Sequence, residues 1–377
     1  MESLARYLKH MAANHASDLF LTTGARPSVK IDGTLHPIQR QPLTRGQSKE
    51  IIYDVIDELQ AAEFEQNLEL NFGITLPEGR FRINVFQQRG EMSLVARFIK
   101  HDIPSLSQLN MPPILETLTE NKKGLVLVVG STGSGKSTTL ASMLNHRNKT
   151  QAGHILTIED PIEYTFKHAQ SIVCQREVGV DTLSYDNALR EALREAPDVI
   201  FIGEVRDNKT MEAALKFADT GHLCLTTLHA VNAYQALDRI VHLFPSSAHN
   251  QVLMDLSLNL NAIVSLRLLP GAEKTKRCAA TEVMINSPYV SELVRSGDFH
   301  EIKNVMEKGN QEGMQTFDQS ITELYNRGKI TLETALNHAD SRTDLEWKLN
   351  FGSEPDSISA NGQTAHYDDE EIGFQTD

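Results

Sequence analysis

Cysteine is scarce. Three stand in 377 residues, Cys174, Cys224 and Cys278, far apart and with no C-x-x-C pair. That argues against a thiolate zinc site, and an odd, sparse count suits a reducing compartment. No apolar run approaches the roughly 20 residues that a bilayer-spanning helix needs. The first residues, Met1-Glu2-Ser3-Leu4-Ala5-Arg6, lead into a polar helical pattern without the apolar centre of a signal peptide. A cytoplasmic chain is expected, unless a partner recruits it. Basic residues are also short: 36 Lys and Arg stand against 50 Asp and Glu, a net charge of −14. An acidic chain without a basic, aromatic run argues against nucleic acid as the main partner.

The acid is unevenly spread. From Gly352 to Asp377 there are seven acidic residues and no Lys or Arg. Residues 352–377 are expected to be a disordered acidic tail, too poor in apolar surface to fold alone. Solubility and docking are both open as its role. The remaining length exceeds one ordinary core, so two domains are expected.

Residues 1–100 read as a small α+β domain. Leu4, Leu8, Met11 and Ala12 share a helical face. A strand follows from Asp18, and Asp32-Gly33 is a two-residue hairpin signal. Thr44 with Gln47 resembles a capping box opening a helix to about Leu59. Two alternating strands then place Phe81, Ile83 and Val85 on one face and Arg80 and Arg82 on the other, with Arg97 on the second strand. Residues 101–113 carry three prolines and read as a linker. Residues 114–351 alternate strands with helices, the pattern of a parallel-rich sheet covered on both faces, and end in helices.

The run Gly130-Ser131-Thr132-Gly133-Ser134-Gly135-Lys136-Ser137 matches G-x-x-x-x-G-K-[ST]. An apolar strand pattern precedes it, and Thr138 begins a helical one. Glycines let successive N–H groups turn into one concavity, and a helix N-terminus adds its partial positive charge. Gly130 through Thr138 are the candidate nucleotide contacts. Lys136 is placed for the β- and γ-phosphates and the Ser137 hydroxyl for Mg²⁺. ATP and Mg²⁺ are the expected ligands.

Hydrolysis needs more: a metal partner, a group that orients water, and positive charge for the transition state. Glu204 ends an apolar strand, where a carboxylate faces the ligand crevice of such sheets, and is a candidate for Mg²⁺ contact, directly or through water. Glu163 closes Glu159-Asp160-Pro161-Ile162-Glu163 and is the candidate for polarising water; a solvated acidic turn is the alternative. His222 and His229 flank one apolar strand. His229 is expected at the same sheet edge as Glu204, with imidazole able to donate to phosphate or accept from water. From the pattern alone, Arg80, Arg82 and Arg97 are either solvated strand-face residues or suppliers of transition-state charge.

These stretches, taken in order, resemble the secretion-type ATPase superfamily. There they are called the Walker A, Asp box, Walker B and His box. The resemblance covers roughly residues 1–350. Within it the chain looks like the twitching-motility ATPases that power type IV pilus retraction, on the PilU-like branch beside PilT. The tetracysteine insert of assembly and secretion members is missing. The stretch from Ser287 to Ser296 keeps only Leu293 and Arg295 of the helix motif usual in PilT-like members.

The resemblance implies a RecA-like P-loop ATPase domain preceded by a PAS-like domain, assembled as a hexameric homo-oligomeric ring. It implies Glu204 as the Walker B acid, Glu163 as the catalytic acid, His229 and His222 as the His-box pair, and Arg82 and Arg97 as phosphate sensors acting across the subunit interface. An inner-membrane platform protein of the pilus and a paralogous retraction ATPase are the implied partners, which would hold the cytoplasmic chain peripherally at the inner membrane. An ATP-binding accessory subunit of such a partner, and an assembly or type II secretion ATPase, are the alternatives.

Overall fold

A computed structural model of the chain describes residues 4–31, 33–99, 102–273, 277–308 and 313–351. The acidic tail at 352–377, Asp32 of the hairpin and the first linker residue lie outside the described residues.

The N-terminal part opens with α1 (Leu4–Ala13), whose Leu4, Leu8 and Met11 are buried as their spacing requires. Strand β1 (Asp18–Thr22) follows, then the hairpin of β2 (Ser28–Ile31) and β3 (Thr34–Pro37), paired Ile31 to Thr34. The single helix expected from Thr44 to Leu59 is two helices, α2 (Gln47–Tyr53) and α3 (Glu58–Asn67). The Thr44 N–H donates to Gln47 Oε1 at 2.6 Å, but the capping box is not formed: the N-cap of α2 is Gly46, with no side chain capping it. A stronger start signal interrupts further on: Asp57 accepts from the Gln60 N–H at 2.8 Å, and Gln60 Oε1 accepts from the Asp57 N–H at 3.1 Å. A full capping box in mid-pattern ends one helix and begins another.

Strand β4 (Glu69–Leu76) pairs with β5 (Gly79–Gln88), which pairs with β6 (Glu91–Ile99). Together these make an antiparallel sheet of order β3-β2-β1-β6-β5-β4. β4 escapes a sequence reading because Gly73 interrupts its alternation, though Leu70 and Phe72 are buried.

The segment between the two sheets has no helix or strand from 102 to 113. It is nonetheless docked. Leu106 is 3% exposed and packs with Leu115 and Met143 in one of the two cores of the second sheet.

The second part runs α4 (Ile114–Glu120), β7 (Gly124–Gly130), α5 (Lys136–Thr150), β8 (Gly153–Glu159), β9 (Ser171–Glu177), α6 (Tyr185–Ala192), β10 (Val199–Ile202), α7 (Asn208–Asp219), β11 (Leu223–Leu228), α8 (Ala233–His242), α9 (His249–Asn259), β12 (Leu260–Pro270) and β13 (Arg277–Ile285). The sheet order among the described residues is β13-β12-β7-β11-β10-β8-β9. Every neighbouring pair is parallel except β12 with β13. β7, β10 and β11 are buried along their whole length, which is why they read as unbroken apolar runs. One core lies between the sheet and α6 to α9, the other between the sheet and α4 with α5.

The chain ends in α10 (Pro288–Ser296), α11 (Ile302–Lys308), α12 (Phe317–Asn326), α13 (Leu332–His338) and α14 (Arg342–Phe351). The last three share a small core around Phe317. Because β11 and β10 stand between β7 and β8, the crossover through α5 leaves a crevice at the C-terminal ends of the strands.

Leu106→Ala is expected to cost about 2–4 kcal/mol, the range for an aliphatic core truncation. Urea unfolding checks this; an unchanged midpoint would show that the segment contributes nothing to the core.

Candidate active site

The loop after β7 is shaped by its glycines at one point above all. Gly130 has φ 156°, and a Cβ there would meet Ser134 Oγ at 2.3 Å and the Leu266 carbonyl oxygen at 2.7 Å. The loop closes on itself against β12, and no side chain fits between. α5 starts at Lys136, so its free N–H groups open onto the crevice. Lys136 Nζ donates to the carbonyls of Gly130 and Ser131, each at 2.9 Å. Burial holds the Lys136 pKa below its ordinary value, while Glu204 and Glu163 pull it back up. The ammonium thus faces two acids across the crevice.

Those acids arrive from other strands. Glu204 follows β10 by two residues, and its elbow is pinned to β11: Thr227 Oγ1 donates to the Gly203 carbonyl at 2.7 Å, and the Val205 N–H donates to the Thr227 carbonyl at 2.9 Å. Glu204 Oε1 lies 2.8 Å from His229 Nε2. Glu204 Oε2 accepts from Arg206 Nε at 2.8 Å, and Arg206 Nη1 reaches Asp160 Oδ2 at 3.1 Å. The His229 carbonyl accepts from Arg239 at 2.7 Å, which steadies the imidazole's backbone. Glu163 sits on the exposed turn after β8. That turn is tied to α5 by a 2.9 Å hydrogen bond between the hydroxyls of Thr138 and Tyr164.

Below the turn, Glu159 is 6% exposed and accepts from Thr157 Oγ1 at 2.7 Å and Gln175 Nε2 at 3.2 Å. Burial pushes its pKa up to about 7 against these hydrogen bonds.

A cavity of about 220 Å³ is walled by Lys136, Ser137, Glu163, Glu204, Arg206 and His229, with Tyr164 and Tyr185 at its sides. A second, of about 660 Å³, lies on the other flank of the loop and shares Gly133, Lys136, Ser137 and Glu163 with it. Met111, Leu268, Cys278 and Leu324 give the second cavity apolar walls.

The residues anticipated from sequence are brought together selectively. The loop, Glu163, Glu204 and His229 converge. His222 does not: it stands at the N-terminal end of β11, with Nδ1 3.1 Å from Thr220 Oγ1 and 3.2 Å from the Phe217 carbonyl. In a parallel sheet that end faces away from the crevice. Arg82 and Arg97 do not reach the cavity within one chain either. They pair across β5 and β6, and Arg97 Nε is held by Asp18 Oδ1 at 2.9 Å. Arg206, two residues after Glu204, joins the site without any spacing signal that marks it in the sequence. Asp207 beside it has a different task, capping α7 by accepting from the Thr210 N–H at 2.8 Å.

Ser137 and Glu204 line one cavity with a phosphate-type loop between them, a donor set that suits Mg²⁺. Among the described residues no cluster of three or more His, Cys, Asp or Glu side chains is arranged to hold a metal. A Mg²⁺ here would take its other ligands from phosphate oxygens and water.

A family model described as Type II/IV secretion system protein matches residues 1–340. The Type IV pilus ATPase PilU of Pseudomonas aeruginosa is 50% identical over 353 residues, 93% of this chain and 92% of its own length. The Type IV pilus retractation ATPase PilT of the same organism is 39% identical over 337 residues, 89% and 98% of the two chains. A crystal structure of the pilus retraction motor PilT with bound ADP aligns with a TM-score of 0.85 at 42% identity, covering 92% of this chain and 99% of that one.

The buried Glu159 sets a pH dependence of stability. Unfolded, it loses its proton near the ordinary 4.5; folded, near 7. Between these values the unfolded state ionises and the folded state does not, so stability falls as pH rises from about 4.5 to 7 and levels off above. Glu159→Gln removes that contribution. Its stability relative to the parent should rise through the window by about 1.4 kcal/mol per pH unit. Unfolding of both proteins at several pH values from 5 to 8 measures the difference; parallel curves would contradict the assignment.

Proposed function

The chain belongs to the Type II/IV secretion system protein family, and from that membership and the geometry of its site we propose that it is an ATP-hydrolysing ring motor that drives or assists retraction of type IV pili. The observation that carries this is the meeting of Glu163, Glu204 and His229 at a phosphate loop, from the ends of three different strands. The 50% identity to PilU and the likeness to a PilT structure holding ADP support it.

In this reading the N–H groups of the loop and the start of α5 hold the phosphates of ATP. Lys136 exchanges its two carbonyl partners for phosphate oxygens. Ser137 and Glu204 hold Mg²⁺, which supplies charge neutralisation at the phosphates. Glu163 orients and polarises the attacking water. His229 fixes Glu204 by its 2.8 Å contact. The second cavity, with Met111, Leu268, Cys278 and Leu324 in its wall, is where the nucleobase would lie.

Positive charge for the transition state is scarce within one chain. Among the described residues lining the first cavity the fixed cations are Lys136 and Arg206, and Arg206 is already paired with Glu204 and Asp160. Arg82 and Arg97 on the first sheet supply it across the seam between two protomers of a hexameric ring. Water cleaves the terminal phosphate bond, and departure of the freed phosphate removes the charge those arginines hold, so the seam loosens and force results. The linker 101–113 acts as the hinge through its stretch ahead of the docked Leu106, with domains 1–100 and 114–351 as the moving bodies. The ring works in the cytoplasm against a membrane platform protein, beside a paralogous retraction ATPase.

A second reading, an ATP-binding accessory subunit of that paralogue, is favoured by the departure of Ser287 to Ser296 from the PilT-like helix motif. Turnover by the isolated protein separates the two.

Lys136→Ala is expected to abolish ATP binding. Glu204→Ala should keep binding and lose turnover by roughly 100-fold or more, the usual scale for one preorganised charged group. Fluorescent-nucleotide binding and phosphate release measure both, and normal turnover by the Glu204 variant would remove it from the mechanism. Loss of the gene should leave cells piliated but unable to twitch, or slower when the paralogue is present. Bare cells would point to assembly instead.

A further inference from the structure

The turn carrying Glu163 sends its hydrogen bonds to the edge strand β9. Gln175 grips it at two points: Nε2 donates to the Tyr164 carbonyl at 2.8 Å, and Oε1 accepts from the Phe166 N–H at 2.9 Å. The same Nε2 reaches Glu159 Oε1 at 3.2 Å. Strand alternation puts Glu177 on the same face two residues on. Its side chain is 4% exposed, and Glu177 pairs in register with Glu159, where the turn leaves β8, the next N–H, that of Val178, donating to the Glu159 carbonyl at 2.9 Å. The turn is therefore held after Glu163 by the Gln175 side chain and before it by the pairing of β9 beside Glu177.

Glu177 has a cation partner from the other sheet. Arg80 Nη2 of β5 lies 3.3 Å from Glu177 Oε2, with the Arg80 side chain 21% exposed. Gly73 on β4 makes room for this guanidinium, since a Cβ there would sit 3.3 Å from Nη2. An acid this buried is costly to leave without its cation. Burial already pushes the Glu177 pKa up, and Arg80 is the largest influence opposing it. Moving the first sheet away from β9 would strip Glu177 of that partner and disturb β9 where it pairs with the start of the turn.

We propose that Gln175 and Glu177 form a rail on β9 that positions Glu163 for hydrolysis, and that Arg80 links the placement of the first sheet to that rail. All three are positioning residues: none lines the first cavity. This rests on the reading of Glu163 as the group acting on water. It gives the first sheet a second task. Besides presenting arginines to a neighbouring protomer, it reports its own position to the acid of its own chain.

The test uses the full chain. Hydrogen–deuterium exchange of the segment 160–166 and steady-state ATP hydrolysis are measured for the parent protein, Gln175→Ala, Arg80→Ala, Arg80→Lys, Glu177→Gln and the double variant Arg80→Ala/Glu177→Gln. Gln175→Ala should speed exchange in the segment roughly threefold to tenfold, the worth of one hydrogen bond. Its kcat should fall roughly 10- to 100-fold, as for a misplaced catalytic group, with KM within about threefold of the parent. Arg80→Ala should show a smaller change of the same kind, and Arg80→Lys should recover most of it. The double variant should be no worse than its more damaging single, because both remove one interaction.

Gln175→Glu, which keeps the side chain's size and removes its donor, answers for the first residue should the alanine variant lose its fold. Unchanged exchange and kcat on removing the Gln175 amide, or strictly additive effects of Arg80→Ala and Glu177→Gln, overturns the proposal. A parent chain that binds ATP without turnover would remove the motor reading, and the exchange data would still decide the rail.

Discussion

The parallel pairing of β7, β11, β10 and β8 is the constraint from which the site follows. In register, Ile202 stands beside Thr226 and Ile158, and Leu228 stands beside Val129. Four strands thus end at one edge, and whatever comes next in the chain is delivered to the same crevice. The glycine loop, the turn with Glu163, the elbow with Glu204 and the loop opening with His229 are four such continuations. Burial of both faces of these strands fixes their register, because sliding one by a residue would turn its side chains to the opposite core. The two hydrogen bonds between Thr227 and the Gly203–Val205 elbow then set the height of Glu204 within the edge.

Charge within the crevice is balanced locally. Lys136 faces Glu204 and Glu163, and Glu204 is shared between His229 and Arg206. Arg206 also reaches Asp160. Glu159, one residue before that acid, is deep enough for burial to push its pKa up to about 7, which relieves the repulsion of three acids in five residues. An arrangement already balanced has little positive charge to spare for a transition state. In the proposed ring, arginines from a neighbour would supply what a single protomer lacks.

Much of this was legible along the chain. Apolar strands ending in Glu204 and His229 announced both their buried paths and their exposed ends, and the loop from Gly130 to Thr138 named its own chemistry by spacing. Other features were hidden for definite reasons. The break between α2 and α3 depends on Asp57 outcompeting helix continuation, a contest between two local signals. β4 was hidden by Gly73, whose missing side chain is what makes room for Arg80. His222 and His229 look alike in sequence, yet only the direction of β11 separates the one that enters the crevice from the one that stays at the far end.

The sequence by itself determined the elements and their chemistry, because helix period, strand alternation, caps and the phosphate loop are all encoded within a few neighbouring residues. The tertiary structure alone decided strand order and what meets across it: Arg206 with Asp160, Gln175 with Tyr164, Arg80 with Glu177 97 residues away. Such meetings depend on which strands exchange backbone hydrogen bonds. Those bonds are the same for every residue type, so the pattern of side chains along one strand carries no address for its partner.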